Sequence, residues 1–317
     1  MKHSSKSVEE MTGLADAALL AVVAIGSVAG ASALVGASWP RRSPAVAILL
    51  WQALGLAAGI AAVGALLGLA LPADRTSVAS ALWRLRSLAL AGPHGAPVLL
   101  VVRIACLTAG VALLALLCWV LVAATAAVVQ ARHRQRELLA LLAHGDPKVP
   151  GALVVDHPAA AAYCLPGLRS KIVFSAGALK LLGPAELAAV LAHERAHVRE
   201  RHDLVLLPFT ALRRAFPRSA RCADAYGAVA LLVEMLADDR ALRARPAREL
   251  VSALVRVGTA GQVPAGALAA TTGPEGEVAA RVTRLLHPVR PLPAPAVAAV
   301  CLGSALIAAA PVVLLLF

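Results

Sequence analysis

Apolar positions in this chain fall into long unbroken runs, not into the 3.6- or 2-residue alternation of a water-soluble fold. Four uncharged stretches, 17–40, 43–73, 104–131 and 291–317, are long enough to cross a bilayer, which takes about 20 residues. The first does not read as a cleaved signal peptide: its run is too long, and Glu9, Glu10 and Asp16 precede or enter it. The second carries Gly55, Gly59, Gly64 and Gly68, which predicts tilt and close helix packing. Between the third and fourth stretches lies a polar block of a size that suits one compact domain. The predicted organisation is therefore 1–131, a membrane region with three transmembrane helices; 132–290, a polar domain; and 291–317, a final transmembrane helix.

Inside the polar block the pattern changes to short elements. Three apolar runs, 153–155, 161–165 and 172–174, are separated by turn signals at Asp156-His157-Pro158 and Pro166-Gly167, and predict strands of a small antiparallel sheet. Gly183-Pro184-Ala185-Glu186 is a good helix start, with proline at the first position and an acid in the first turn. That helix should run to about Glu200, and a further one should cover about 220–244, closed by Pro246. The run 204–212, broken by Pro208, is too short to span and fits either core or a membrane-dipping segment. Residues 258–276, rich in Gly, Ala, Pro and Thr, read as a loose connection.

Composition supports the membrane reading. Of 317 residues 60% are hydrophobic, against roughly 45–50% in soluble domains, and mean hydropathy is +0.78. Net charge is +12, and 22 of the 30 Lys and Arg fall between Arg132 and Arg290. Basic residues beside apolar spans hold a segment on the cytoplasmic side. Arg41 and Arg42, then Arg132, Arg134 and Arg136, then Arg281, Arg284 and Arg290 all fall on one side of a four-span chain, so the polar domain is expected in the cytoplasm. The loop 74–103 also carries arginines; its spacing of Val78, Leu82, Leu85, Leu88 and Ala89 predicts a helix lying flat at the outer interface. No aromatic-rich basic strand or recognition-helix pattern accompanies the charge, so nucleic acid is not an expected partner. The cysteines Cys106, Cys118, Cys164, Cys222 and Cys301 show no regular spacing, which predicts neither a disulfide framework nor thiolate metal ligands.

The candidate chemistry lies in His193-Glu194-Arg195-Ala196-His197. Residues four apart share a helix face, so both imidazoles can bind one metal ion, while Glu194 projects beside them as a general base. A catalytic zinc site needs a third protein ligand and an open position for water. Glu200 is disfavoured at the helix end. Glu234 follows an apolar run, where an acid is costly unless paired or metal-bound. Asp238, four residues on, can accept a hydrogen bond from a ligand imidazole. Tyr226 and Arg240 are candidate oxyanion donors, and 172–174 a candidate edge for an extended substrate. Asp203 is expected to cap or to pair with an arginine. The other histidines, His133, His144, His157, His202 and His287, have no ligand spacing and read as surface residues.

"GPAELAAVLAHERAHVRERHD" at 183–203 resembles the active-site helix of the HtpX-like membrane metallopeptidases, and equally that of the antirepressor-type peptidases in β-lactam signal transducers of the BlaR/MecR kind. "VEMLADDRAL" at 233–242 is similar to their third-ligand motif, "AYCLPGLRSKIVFSAGALKLL" at 162–182 to their strand hairpin and following helix, and "RVTRLLHP" at 281–288 to the antirepressor-type tail. Three spans before the domain and one after fit the antirepressor type better. With Phe317 as the last residue, no penicillin-binding sensor and no β-lactam recognition are expected. The resemblance implies one Zn²⁺ held by His193, His197 and Glu234, with Glu194 as base and Asp238 behind His193 or His197. It also implies a mainly α membrane protein, with an α+β zincin-like metallopeptidase domain between the third and fourth transmembrane helices. The expected activity is hydrolysis of peptide bonds in a protein substrate, a cytosolic repressor or a membrane protein, at the bacterial plasma membrane. The alternative is a non-catalytic, zinc-stabilised membrane sensor or scaffold; a purely structural zinc would not need Glu194.

Overall fold

The structure is a computed structural model, described here for residues 2–71, 97–165, 170–260, 275–287 and 289–316. The expected interfacial helix around Val78–Ala89, the Pro166-Gly167 turn and most of the expected loose connection lie outside the described residues.

Among the described residues, four helices are long and apolar enough to cross a membrane: α1 (Lys2–Gly36), α2 (Pro44–Ala70), α3 (Pro97–Leu142) and a final helix, Ala294–Leu316. The third has 46 residues, about 70 Å of helix, so it runs well past its uncharged part into Arg132–Arg136. The chain divides into two compact units. One comprises 1–37, 49–120 and 294–317; the other comprises 38–48 and 121–293.

In the first unit, Leu20 of α1 packs against Ala61 and Ala65 of α2, with Leu314 alongside. Two of the four α2 glycines permit this approach. A Cβ on Gly64 would lie 3.0 Å from Leu315, and one on Gly68 3.3 Å from Ala17. Gly55 faces open space, so close packing accounts for the last two glycines and not for the first.

The second unit holds a four-stranded sheet, β1 (Ala143–Gly145), β2 (Ala152–Val155), β3 (Ala162–Leu165) and β4 (Lys171–Ser175), in the order β1-β2-β4-β3. The sheet is mixed: β2 and β4 pair in parallel (Val154 opposite Phe174), while β1–β2 and β3–β4 are antiparallel. The expectation of an all-antiparallel sheet is thus corrected. Residues 156–161 carry the chain past one strand position, so β3 becomes the edge and β4 returns between its neighbours. Ile172-Val173-Phe174, apolar without alternation and buried throughout, is the pattern of a strand covered on both faces.

Helices α4 (Ala176–Leu181), α5 (Pro184–Arg199), α6 (His202–Ala215), α7 (Ala220–Ala241), α8 (Ala247–Thr259) and α9 (Glu275–Leu286) complete this unit, and Ala294–Leu316 is α10. One core forms between sheet and helices from Val154, Phe174, Ala178, Leu187, Leu191 and Ala253. A second, Ala189, Ala241, Leu250 and Leu285, ties α5, α7, α8 and α9 together. The start of α5 is fixed as its sequence predicts: Pro184 opens it, and the Gly183 N–H donates to Glu186 Oε2 at 2.7 Å. Pro208 lies inside α6, a 14-residue helix with Phe209 and Ala211 buried, so the run 204–212 is helical.

Gly177 marks the tightest contact between α4 and the β2–β3 connection. Its N–H donates to His157 O at 2.9 Å, and an added Cβ would fall 2.0 Å from Pro158 O. Backbone cannot swing away as a side-chain tip can. Gly177→Ala is therefore expected to destabilise the domain by at least the 1–3 kcal/mol typical of overpacking. A lowered melting temperature of the purified protein checks this; an unchanged one would refute it.

Candidate metal centre

α5 and α7 pack side by side and bring the predicted residues together. His193 and His197 lie one turn apart on α5, and Glu234 and Asp238 one turn apart on α7. The two Nε2 atoms are 3.0 Å apart. Glu234 Oε2 is 3.3 Å from His193 Nε2, and Oε1 is 3.4 Å from His197 Nε2. One ligand atom from each of His193, His197 and Glu234 lies within 4.8 Å of the others, a group that could hold a metal ion.

The donor set fits a tetrahedral cation. Bonds of about 2.0–2.1 Å require ligand atoms roughly 3.3 Å apart, close to the separation of the two imidazole nitrogens and to that of each from its nearer Glu234 oxygen. Proton placement supports the same conclusion. If each imidazole carries its proton on Nδ1, two lone pairs and a carboxylate face one another with nothing between them, an arrangement only a cation satisfies.

Asp238 sits behind His193, with Oδ1 3.0 Å from Nδ1, and is 1% exposed. Arg281, on α9, holds it with two hydrogen bonds, Nε to Oδ2 at 2.9 Å and Nη2 to Oδ1 at 2.7 Å. The same guanidinium places Nη1 2.9 Å from Glu234 Oε2. One turn on, Arg284 makes the same bidentate contact to Asp239, at 2.7 and 2.9 Å, and its Nε donates to Arg41 O at 2.8 Å. Burial alone would raise both Asp238 and Glu234; Arg281, with the imidazoles, more than reverses this and holds each below the usual carboxylate range.

Glu194 is buried at 3% exposure. Burial pushes its carboxyl up to about 7; His193 opposes this, and the Glu234 charge adds to it. The main-chain N–H of Cys164, on edge strand β3, donates to it. Burial, then the charges of Glu194, Asp203 and Glu234, raise the Cys164 thiol to about 12, which favours its protonated form.

Residues 129–237 match the family model of Peptidase family M48. The match takes in His193, Glu194, His197 and Glu234, covers about a third of the chain, and supports a metallopeptidase hydrolase. No curated protein and no solved structure matches the chain. The M48 stretch ends one residue before Asp238 and does not include Arg281.

Several expectations change. Arg281 was read as a charge that sets membrane orientation; it is 3% exposed and bridges the two acids of α7. His202 was read as a surface residue; it is buried at 2% exposure, with Nδ1 3.0 Å from His197 Nδ1. Of the oxyanion candidates, Arg240 pairs with Glu200, and the Tyr226 ring lies under the Arg213 guanidinium at 4.7 Å. Asp203 pairs with an arginine as expected, Arg132, at 2.9 Å. The strand 172–174 is not an edge, because β4 is paired on both sides.

The Asp238 carboxyl ionises at lower pH when folded than when unfolded. Its contribution to stability is complete above the unfolded value near 3.9 and is lost as pH falls through the folded one. Melting of the purified protein should therefore weaken below about pH 4, and Asp238→Asn should flatten that slope. Arg281→Ala, which leaves the carboxylates buried without their cation, should cost about 3–5 kcal/mol. An acid profile unchanged by Asp238→Asn would refute the pairing.

Proposed function

We propose that this protein is an integral membrane, zinc-dependent endopeptidase, with Zn²⁺ held by His193, His197 and Glu234 and with Glu194 as general base. The observation that carries the proposal is the convergence of two imidazole nitrogens and one carboxylate beside the buried Glu194, within an M48 match. Four helices of membrane-spanning length support the location.

When bound, Zn²⁺ supplies Lewis acidity, polarising the peptide carbonyl and making water nucleophilic near neutral pH. Glu194 does the proton work. Its carboxylate accepts a proton from the attacking water as the new C–O bond forms, and returns it to the amide nitrogen as the C–N bond breaks. Burial suits it to both roles, since a carboxyl raised to about 7 neither clings to its charge nor holds its proton at neutral pH. Asp238 and Arg281 orient His193 and Glu234.

Among the described residues β3, not β4, is the edge strand beside the site, and an extended substrate can add along it. Its Cys164 N–H already reaches Glu194, which puts that edge beside the base. A cavity of ≈ 60 Å³ adjoins the site, lined by Leu182, Val190, Leu254, Val257 and Val278, with His193, Glu194 and Arg281 also in its wall. It favours an apolar substrate side chain next to the cleaved bond. The substrate is a polypeptide, either a cytosolic repressor or a membrane protein, met by a domain on the cytoplasmic face of a bacterial membrane. The positive-side charge pattern and the three-before-one order of spans favour that arrangement.

Glu194→Gln tests the reading. The variant should keep wild-type zinc content and lose proteolysis of a casein-type substrate by about 10²–10⁴-fold. Equal proteolysis in both proteins removes Glu194 from the mechanism. Zinc bound by the wild type without any cleavage favours a scaffold.

A further inference from the structure

We propose that His202 is a positioning residue for the metal centre: it accepts the Nδ1–H of His197 and so keeps the Nε2 lone pair of His197 turned toward the ion. The inference rests on the metal-centre reading above. An imidazole that ligates through one nitrogen carries its proton on the other, and that proton needs an acceptor. For His193 the acceptor is Asp238, 3.0 Å away. For His197 the partner among the described residues is His202, Nδ1 to Nδ1 at 3.0 Å, with the rings edge-on at 89°.

The local backbone is shaped to make this contact. Five positions along an unbroken helix lie about 140° round its axis, too far for the two rings to meet. The chain instead breaks at Arg201, which takes the left-handed conformation at φ 51° and ψ 46°. A non-glycine residue adopts that conformation at a cost, and here it returns His202, the first residue of α6, onto His197. His202 is buried at this contact. Accepting at Nδ1, His202 carries its own proton on Nε2, which lies 3.5 Å from Glu200 Oε2. Glu200 is in turn held by Arg240. Donation from His197 to His202, and from both His202 and Arg240 toward Glu200, converges on the one carboxylate and leaves His197 Nε2 free of its proton, as Asp238 does for His193 Nε2.

The test measures zinc affinity of the purified full chain in detergent, by competition with a chromophoric chelator. His202→Leu removes the acceptor at similar volume; His202→Asn restores an acceptor through its side-chain carbonyl. The expected result is a loss of about 10–100-fold for leucine and a substantial recovery for asparagine. Leucine with wild-type affinity overturns the proposal, as does an equal loss in both variants, which marks a packing role. A wild-type chain that binds no stoichiometric zinc overturns the metal centre itself, and this outcome is distinct from the others. Histidine-selective ¹⁵N NMR of the zinc-loaded wild type needs no variant. It should report His197 protonated at Nδ1 and His202 at Nε2; His202 protonated at Nδ1 overturns the proposal.

Discussion

Two carboxylates drawn into the interior of the second compact unit must be matched by cations, and the rest of that unit is arranged around the requirement. Asp238 and Glu234 lie on the inner face of α7, beside Leu232, Val233, Met235 and Ala237, all buried. An unpaired charge there would cost several kcal/mol. Arg281 supplies one positive charge to both acids at once. The second acid is left facing two imidazole nitrogens, with Glu194 adding negative charge nearby when ionised. A divalent ion held there would complete the balance and leave Arg281 in place.

This requirement explains why the domain needs its last helix. The M48 match ends in α7, yet the guanidinium that neutralises α7 comes from α9. Arg284, one turn further, clamps Asp239 and reaches the backbone at Arg41, while Arg42 donates to Arg290 O and Ser43 accepts from the Leu292 N–H. The short turn at Trp39–Arg42 is thus fastened to α9 and to the segment after it, all within the same compact unit. The helix that carries Glu234 and Asp238 is held by residues distant in sequence on both sides.

Much of this was legible in the sequence, and the reasons for what was not are physical. His193 with His197, and Glu234 with Asp238, repeat at four residues, a spacing that a helix converts directly into a shared face. The spans were visible because about 20 apolar residues without charge have few alternatives. His202 was hidden because five residues is not a helical repeat. The break at Arg201 carries neither glycine nor proline to announce it. Arg281 was hidden because an arginine near a membrane span has a ready explanation in orientation, and its partners lie 43 and 47 positions earlier. The parallel pairing of β2 with β4 depends on where the chain places β3, which local pattern does not encode; only the unbroken apolar run of β4 hinted at an inner strand.

The measurement that bears most directly on this account is X-ray absorption at the zinc edge of the purified full chain. One zinc per chain is predicted, with two imidazole nitrogens and carboxylate or water oxygens at about 2.0–2.2 Å. A shell of sulfur near 2.3 Å, a single imidazole, or no bound zinc would contradict it.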